Sequence, residues 1–136
     1  MLARIAHRVH LSIMATIAAA VVAACASSPV SIAETPQQKF YAAKLTYDAV
    51  LSGALVLVND TTLPAELRRR IQSAAASSGD AYRASNQAYL QYVAARAELA
   101  AGQTTSEKLE IASANLLRWL GELEAAAAAL AAVTQS

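Results

Sequence analysis

The chain has 136 residues, with 11 Lys and Arg against 10 Asp and Glu, one Cys and four Gly, and 56% of it is hydrophobic against 15% charged. That length suits one domain, the single cysteine excludes a disulfide framework, and the near-zero balance leaves no basic or acidic tract for nucleic acid. Alanine fills 35 of the 136 positions. Because Ala loses no side-chain entropy in a helix and packs weakly on a pleated surface, an all-α fold is expected.

Residues 1–24 read as an export signal. Arg4 and Arg8, with His7 and His10, make a positive start, and Leu11 to Ala24 follow without a charge, Ser12 and Thr16 being the polar exceptions. A membrane-spanning helix needs about 20 apolar residues, more than this run supplies, so a cleaved signal is expected rather than a retained anchor. The run ends in Val22-Ala23-Ala24-Cys25. Taken as residues alone, Cys25 is either an inert thiol behind an ordinary signal cut near Ala24 or Ala26, or a modified residue.

Val22-Ala23-Ala24-Cys25 resembles the lipobox of bacterial lipoproteins, in which a branched aliphatic residue stands three before the cysteine and small residues fill the gap. The resemblance implies that the Ala24–Cys25 bond is the cleavage site and that Cys25 carries a diacylglycerol thioether and an acylated amino group. It also implies membrane anchorage, since each buried acyl CH₂ contributes about 0.8 kcal/mol and two or three chains hold stably where one binds marginally. In that family an Asp directly after the cysteine retains the protein at the inner membrane; Ala26-Ser27 stand here, which implies the outer membrane, on its periplasmic side. The chain is also similar to small alanine-rich helical lipoproteins of proteobacteria and their phages, a diffuse likeness that assigns no functional residue. The murein lipoprotein family attaches to peptidoglycan through a C-terminal lysine, which Val133-Thr134-Gln135-Ser136 does not match, so covalent attachment to the wall is not expected.

From Cys25 onward the sequence holds 9 basic and 10 acidic residues and no histidine. With Cys25 acylated, neither an imidazole nor a thiolate is left, which removes Ser-His-Asp and Cys-His catalysis. Zinc, which prefers N and S ligands, would have carboxylates alone. Gly53, Gly79, Gly102 and Gly121 stand singly, so no phosphate-binding loop is present. The expectation is a non-enzymatic protein with no cofactor and no metal.

Residues 25–35, with Ser27, Ser28, Pro29 and Ser31, are expected to be a flexible, extended tether, and the helical domain is expected over 36–134. Thr35-Pro36-Gln37-Gln38 predicts a helix start with a capping box, Pro at the first helical position and Gln at the third. The first helix should run to about Asn59, with Phe40, Ala43, Tyr47, Val50, Leu51, Ala54 and Val58 on its core face. Leu63-Pro64 restarts a helix that continues through Ile71, Ser78, Tyr82, Ser85, Tyr89, Tyr92, Val93 and Leu99, with Ser77-Ser78-Gly79-Asp80 as a weak point that could bend or divide it. Ala101-Gly102 ends it, and Thr104-Thr105-Ser106-Glu107 predicts a second capping box. The third helix carries Leu109, Ala112, Leu116, Trp119, Leu120, Leu123, Ala127 and Leu130 on one stripe. Three long amphipathic helices joined by short turns predict an antiparallel bundle.

Tyr41, Leu45 and Val56, with Leu55, lie off the core stripe of the first helix and make it apolar around most of its circumference. Both flanks are expected to be covered within the bundle; the other readings are a contact surface for a partner or a second copy, and membrane contact by Ala49 to Val58. Arg68, Arg69 and Arg70 are the one charge run, read as solvated surface, with lipid phosphates or an acidic partner as the functional alternative. Tyr82, Tyr89, Tyr92 and Trp119 are read first as core and second as a ligand platform. Arg96 is expected to find a carboxylate, with Asp48 as the candidate. Glu107 is expected to serve its cap, and Glu110, Glu122 and Glu124 the polar side of the third helix. These residues point to an envelope scaffold or adaptor acting through helix-helix contacts, with itself or with an envelope protein. The alternative is a binding module for an envelope lipid or glycan.

Overall fold

The computed structural model describes residues 35–135. The expected signal sequence, with Ala24 and Cys25, and the expected tether up to Glu34 lie outside those residues. Three helices follow in order: α1, Pro36–Asn59; α2, Ala65–Ala100; and α3, Ser106–Thr134. They pack against one another with no strand among the described residues, so the fold is an all-α three-helix bundle.

Each boundary has a local cause. Thr35 is extended and its hydroxyl accepts from the Gln38 amide at 3.2 Å, while Gln38 Oε1 accepts from the Thr35 amide at 2.9 Å, so the capping box of α1 is complete. At the far end Asp60 leaves the helix, and its carboxylate accepts from the Thr62 amide at 2.8 Å, closing the short turn into Pro64. Pro64 caps α2 in an extended conformation without a side-chain bond.

α2 is one unbroken helix of 36 residues, about 54 Å long at 1.5 Å per residue. It continues through the weak point at Ser77 to Asp80 as the single element expected, because one Gly costs only about 1 kcal/mol and the flanking turns pack on both neighbours. Its end is a Schellman turn: Gly102 has φ 69°, its amide donates to Leu99 O at 3.0 Å, and the Gln103 amide donates to Glu98 O at 2.8 Å.

The second capping box is not formed. Thr105 rather than Thr104 is the N-cap of α3, it makes no side-chain cap bond, and the residue three positions on is Lys108. Glu107 therefore sits one position too early to reach back, and its contribution is a negative charge in the first turn, favourable to the helix dipole.

Antiparallel register follows from side-chain pairs. Phe40 stacks on Tyr89 and Tyr47 on Tyr82 across α1 and α2. Glu98 with Lys108, and Gln91 with Asn115, set α2 against α3. Two buried clusters fill the interior. One gathers Phe40, Ala43, Tyr47, Ala88, Tyr92, Leu116, Leu120 and Leu123; the other, toward the α1–α2 turn, gathers Val50, Ala54, Ile71, Leu130 and Ala131. Ser78 and Ser85 are fully buried on α2, and each hydroxyl donates to a carbonyl of its own helix, Ala75 O at 2.8 Å and Tyr82 O at 2.9 Å. Their small side chains let the neighbouring helices come close without leaving a polar group unpaired.

Candidate interaction surface on the first helix

Helical periodicity divides α1 into two faces. Phe40, Ala42, Ala43, Tyr47, Val50 and Ala54 are buried. On the opposite side Tyr41, Leu45, Leu55 and Val56 remain 49%, 66%, 50% and 66% exposed. Ala49 and Ser52 are exposed between them, and at 100° per residue all six fall within an arc of about 120°. The expectation that both flanks of α1 would be covered is therefore overturned. Two neighbours of a three-helix bundle cover little more than half of a helix, and the uncovered arc of α1 combines these apolar residues with Gln38, Asp48, Ser52 and Asn59.

One ion pair crosses the edge of this face, with Asp48 inside the arc and Lys44 just outside it. Lys44 Nζ lies 2.5 Å from Asp48 Oδ2, one turn apart, and 5.8 Å from the centre of the Tyr82 ring. The hydrogen bond to Asp48 holds the Lys44 ammonium above its ordinary value, against a smaller opposing effect of desolvation. Asp48 is thus committed to Lys44. Arg96 instead donates to Gln37 Oε1 at 3.1 Å and is exposed, so the expected Arg96–Asp48 pair does not exist.

Next to the face, Tyr41 leans on Tyr89, their hydroxyls 3.1 Å apart and their rings edge to face. That bond, followed by burial, raises the Tyr89 phenol above its ordinary value. Gln37 lies level with Arg96, so α2 runs a turn beyond the start of α1. A shallow groove of about 290 Å³ opens there, lined by Gln37, Tyr89, Val93, Arg96, Ala97 and Ala100. Val93, expected in the core, is 40% exposed at this groove.

The aromatic residues are core, as their spacing predicts. Tyr47 and Tyr92 are buried, Tyr82 and Tyr89 half-buried under ring stacks, and Trp119 half-buried with the Arg118 guanidinium 4.5 Å from its ring. Desolvation is the main cause of a raised Tyr47 phenol. No flat aromatic platform faces solvent.

The arginine run does not act as one unit. Arg69 bonds to Glu66, Arg70 is exposed, and Arg68 is half-buried with its Nε enclosed and lacking a hydrogen-bond partner. The run stands in the first turns of α2, next to the α1–α2 turn, whereas Tyr41 and Leu45 lie toward the other end of α1, so the structure does not bring the arginines and the whole apolar face into one site.

Among the described residues no group of His, Cys, Asp and Glu could hold a metal ion. Glu107, Glu110, Glu122 and Glu124 are all exposed. Cys25 and Ala24 lie outside the described residues. The unpartnered face of α1 was legible in the apolar residues off its stripe; the groove was not, because it depends on the stagger between α1 and α2. Comparison with protein-family models, with curated proteins and with solved structures returned no match for this chain.

Proposed function

We propose that the protein is a lipid-anchored, non-enzymatic scaffold or adaptor of the bacterial envelope, held by acylated Cys25 and working through the outer face of α1. The observation that carries the reading is the unpartnered apolar side of α1 in Tyr41, Leu45, Leu55 and Val56. Exposed large apolar residues also occur on α2 and α3, at Leu90, Val93, Ile111 and Leu117, but α1 gathers four within one arc, and such a gathering marks a contact surface. The Val22-Ala23-Ala24-Cys25 pattern supplies the anchor, and the outer membrane is the expected location.

The anchor is tested by metabolic labelling with an alkyne-bearing palmitate analogue, followed by intact-mass analysis. The wild-type chain should gain the label and lose residues 1–24; Cys25→Ser should do neither. An unlabelled wild-type chain that still carries its first 24 residues removes the proposal. The adaptor role is tested by crosslinking in intact cells, where Leu45→Glu with Val56→Glu should abolish the crosslinked species of the wild type. Identical patterns for the two proteins remove that role.

A further inference from the structure

We infer that the outer face of α1 lies on the bilayer that carries the Cys25 anchor, so that the bundle rests on its side along the membrane surface. The inference rests on the lipid anchorage read above and not on the adaptor role, with which it competes for this face, since a face laid on lipid is closed to a protein partner.

Tether length is the first argument. Nine residues, 26–34, separate Cys25 from Thr35, and fully extended they reach about 30 Å. The first turn of α1 therefore stays within that distance of the anchored acyl chains. Contact between its face and the bilayer becomes an intramolecular event, for which a modest apolar area suffices.

The chemistry of the face is the second. Leu45, Leu55 and Val56 present aliphatic carbon, and Tyr41 presents an amphipathic ring at the end next to the tether, a residue suited to the boundary between headgroups and acyl chains. The one acid on α1, Asp48, stands within this face and is paired with Lys44 at its edge, whose long stem lets its ammonium reach the headgroups. Among the described residues α1 alone is long and apolar enough to cross a membrane by length and composition. Its Phe40, Tyr47, Val50 and Ala54 are buried in the bundle, however, so one face is available rather than the whole circumference.

Charge decides the orientation. Lys39 and Lys44 oppose Asp48 on α1, and five arginines oppose Glu66, Asp80 and Glu98 on α2. On α3 four glutamates oppose Lys108 and Arg118. The α1–α2 side is positive and α3 negative, so an anionic headgroup layer draws α1 down and turns α3 outward.

The experiment places an environment-sensitive nitrobenzoxadiazole dye on single cysteines in the full chain, purified with its anchor and reconstituted in vesicles of phosphatidylcholine and phosphatidylglycerol. Leu45→Cys and Val56→Cys report the α1 face, and Glu122→Cys reports exposed α3. Brominated acyl chains should quench positions 45 and 56 several-fold more than position 122, with a blue-shifted emission at the first two. Equal quenching at all three positions overturns the inference. So does disulfide pairing between copies through position 45 without quenching, which assigns the face to a second copy. An acylated Cys25 takes up no dye, so labelling of the wild-type chain signals failure of the anchor instead. In that event the same comparison in a Cys25→Ser background, with vesicles added, still decides whether the face meets lipid.

Discussion

The ring of Phe40 on α1 lies flat against the ring of Tyr89 on α2, centroids 4.1 Å apart and planes within 2°. Phe40 is buried, and Tyr89 carries its hydroxyl onward to Tyr41. Phe40→Ala should therefore cost about 3 to 5 kcal/mol. A double-mutant cycle with Tyr89→Ala should show a coupling of about 1 kcal/mol between two aromatic side chains in contact. Urea unfolding of the four proteins measures both quantities; simple additivity would show that the stack contributes no more than burial.

Exposure separates two leucines of equal size. Leu123 is fully buried in the aromatic cluster, and Leu45 is 66% exposed. Leu123→Ala should destabilise the bundle by about 2 to 5 kcal/mol, and Leu45→Ala by less than about 0.5 kcal/mol. Thermal unfolding of the two variants tests the contrast. A large loss from Leu45→Ala would show that α1 is covered in the protein as purified.

Glycines offer a sign test. Gly53 and Gly121 lie within helices, and a Cβ at either meets nothing within 4 Å, so Ala there should stabilise by about 0.5 to 1 kcal/mol. At Gly102 there is equal space, but φ is 69°. Gly102→Ala should therefore destabilise by about 1 kcal/mol or more, through backbone strain alone. Calorimetry on the three variants should give two upward shifts of Tm and one downward.

Alkaline pH should loosen the fold. Hydrogen bonding to Tyr41 raises Tyr89, desolvation raises Tyr47, both from 10.0, and bonding to Asp48 raises Lys44 from 10.5. Above those ordinary values the unfolded chain releases protons that the folded chain keeps, so stability falls as pH rises from about 10 until the folded groups also titrate. Tyr89→Phe should make that decline shallower. Chemical denaturation at several pH values between neutral and strongly alkaline checks it, and a flat profile would contradict the environments described for these three residues.

Local sequence grammar was enough for much of this fold. Thr35, Pro36 and Gln38 are neighbours, so their capping box needs no knowledge of the rest of the chain. The buried stripe of α3 through Leu116, Leu120, Leu123, Ala127 and Leu130 follows from period alone. Reading failed where two solutions compete within one residue, or where the answer lies on another helix. Thr104 and Thr105 both suit a cap, and the backbone chose the second. Asp48 was assigned to Arg96 by charge, yet Lys44 one turn away reaches it without any ordering of a second helix, while Arg96 lies level with Gln37. The bare side of α1 was visible as apolar residues off the stripe, but whether neighbours covered it depended on how three helices share an interior.

All seven aromatic residues of the chain, Phe40, Tyr41, Tyr47, Tyr82, Tyr89, Tyr92 and Trp119, belong to one of the two interior clusters or touch it, and the cluster around Ile71 and Leu130 is wholly aliphatic. Intrinsic fluorescence and near-ultraviolet dichroism are consequently blind to half of this molecule. Fraying at the aliphatic end would pass unseen by either method, and amide hydrogen exchange at residues such as Ala131 and Val58 is the probe that can follow it.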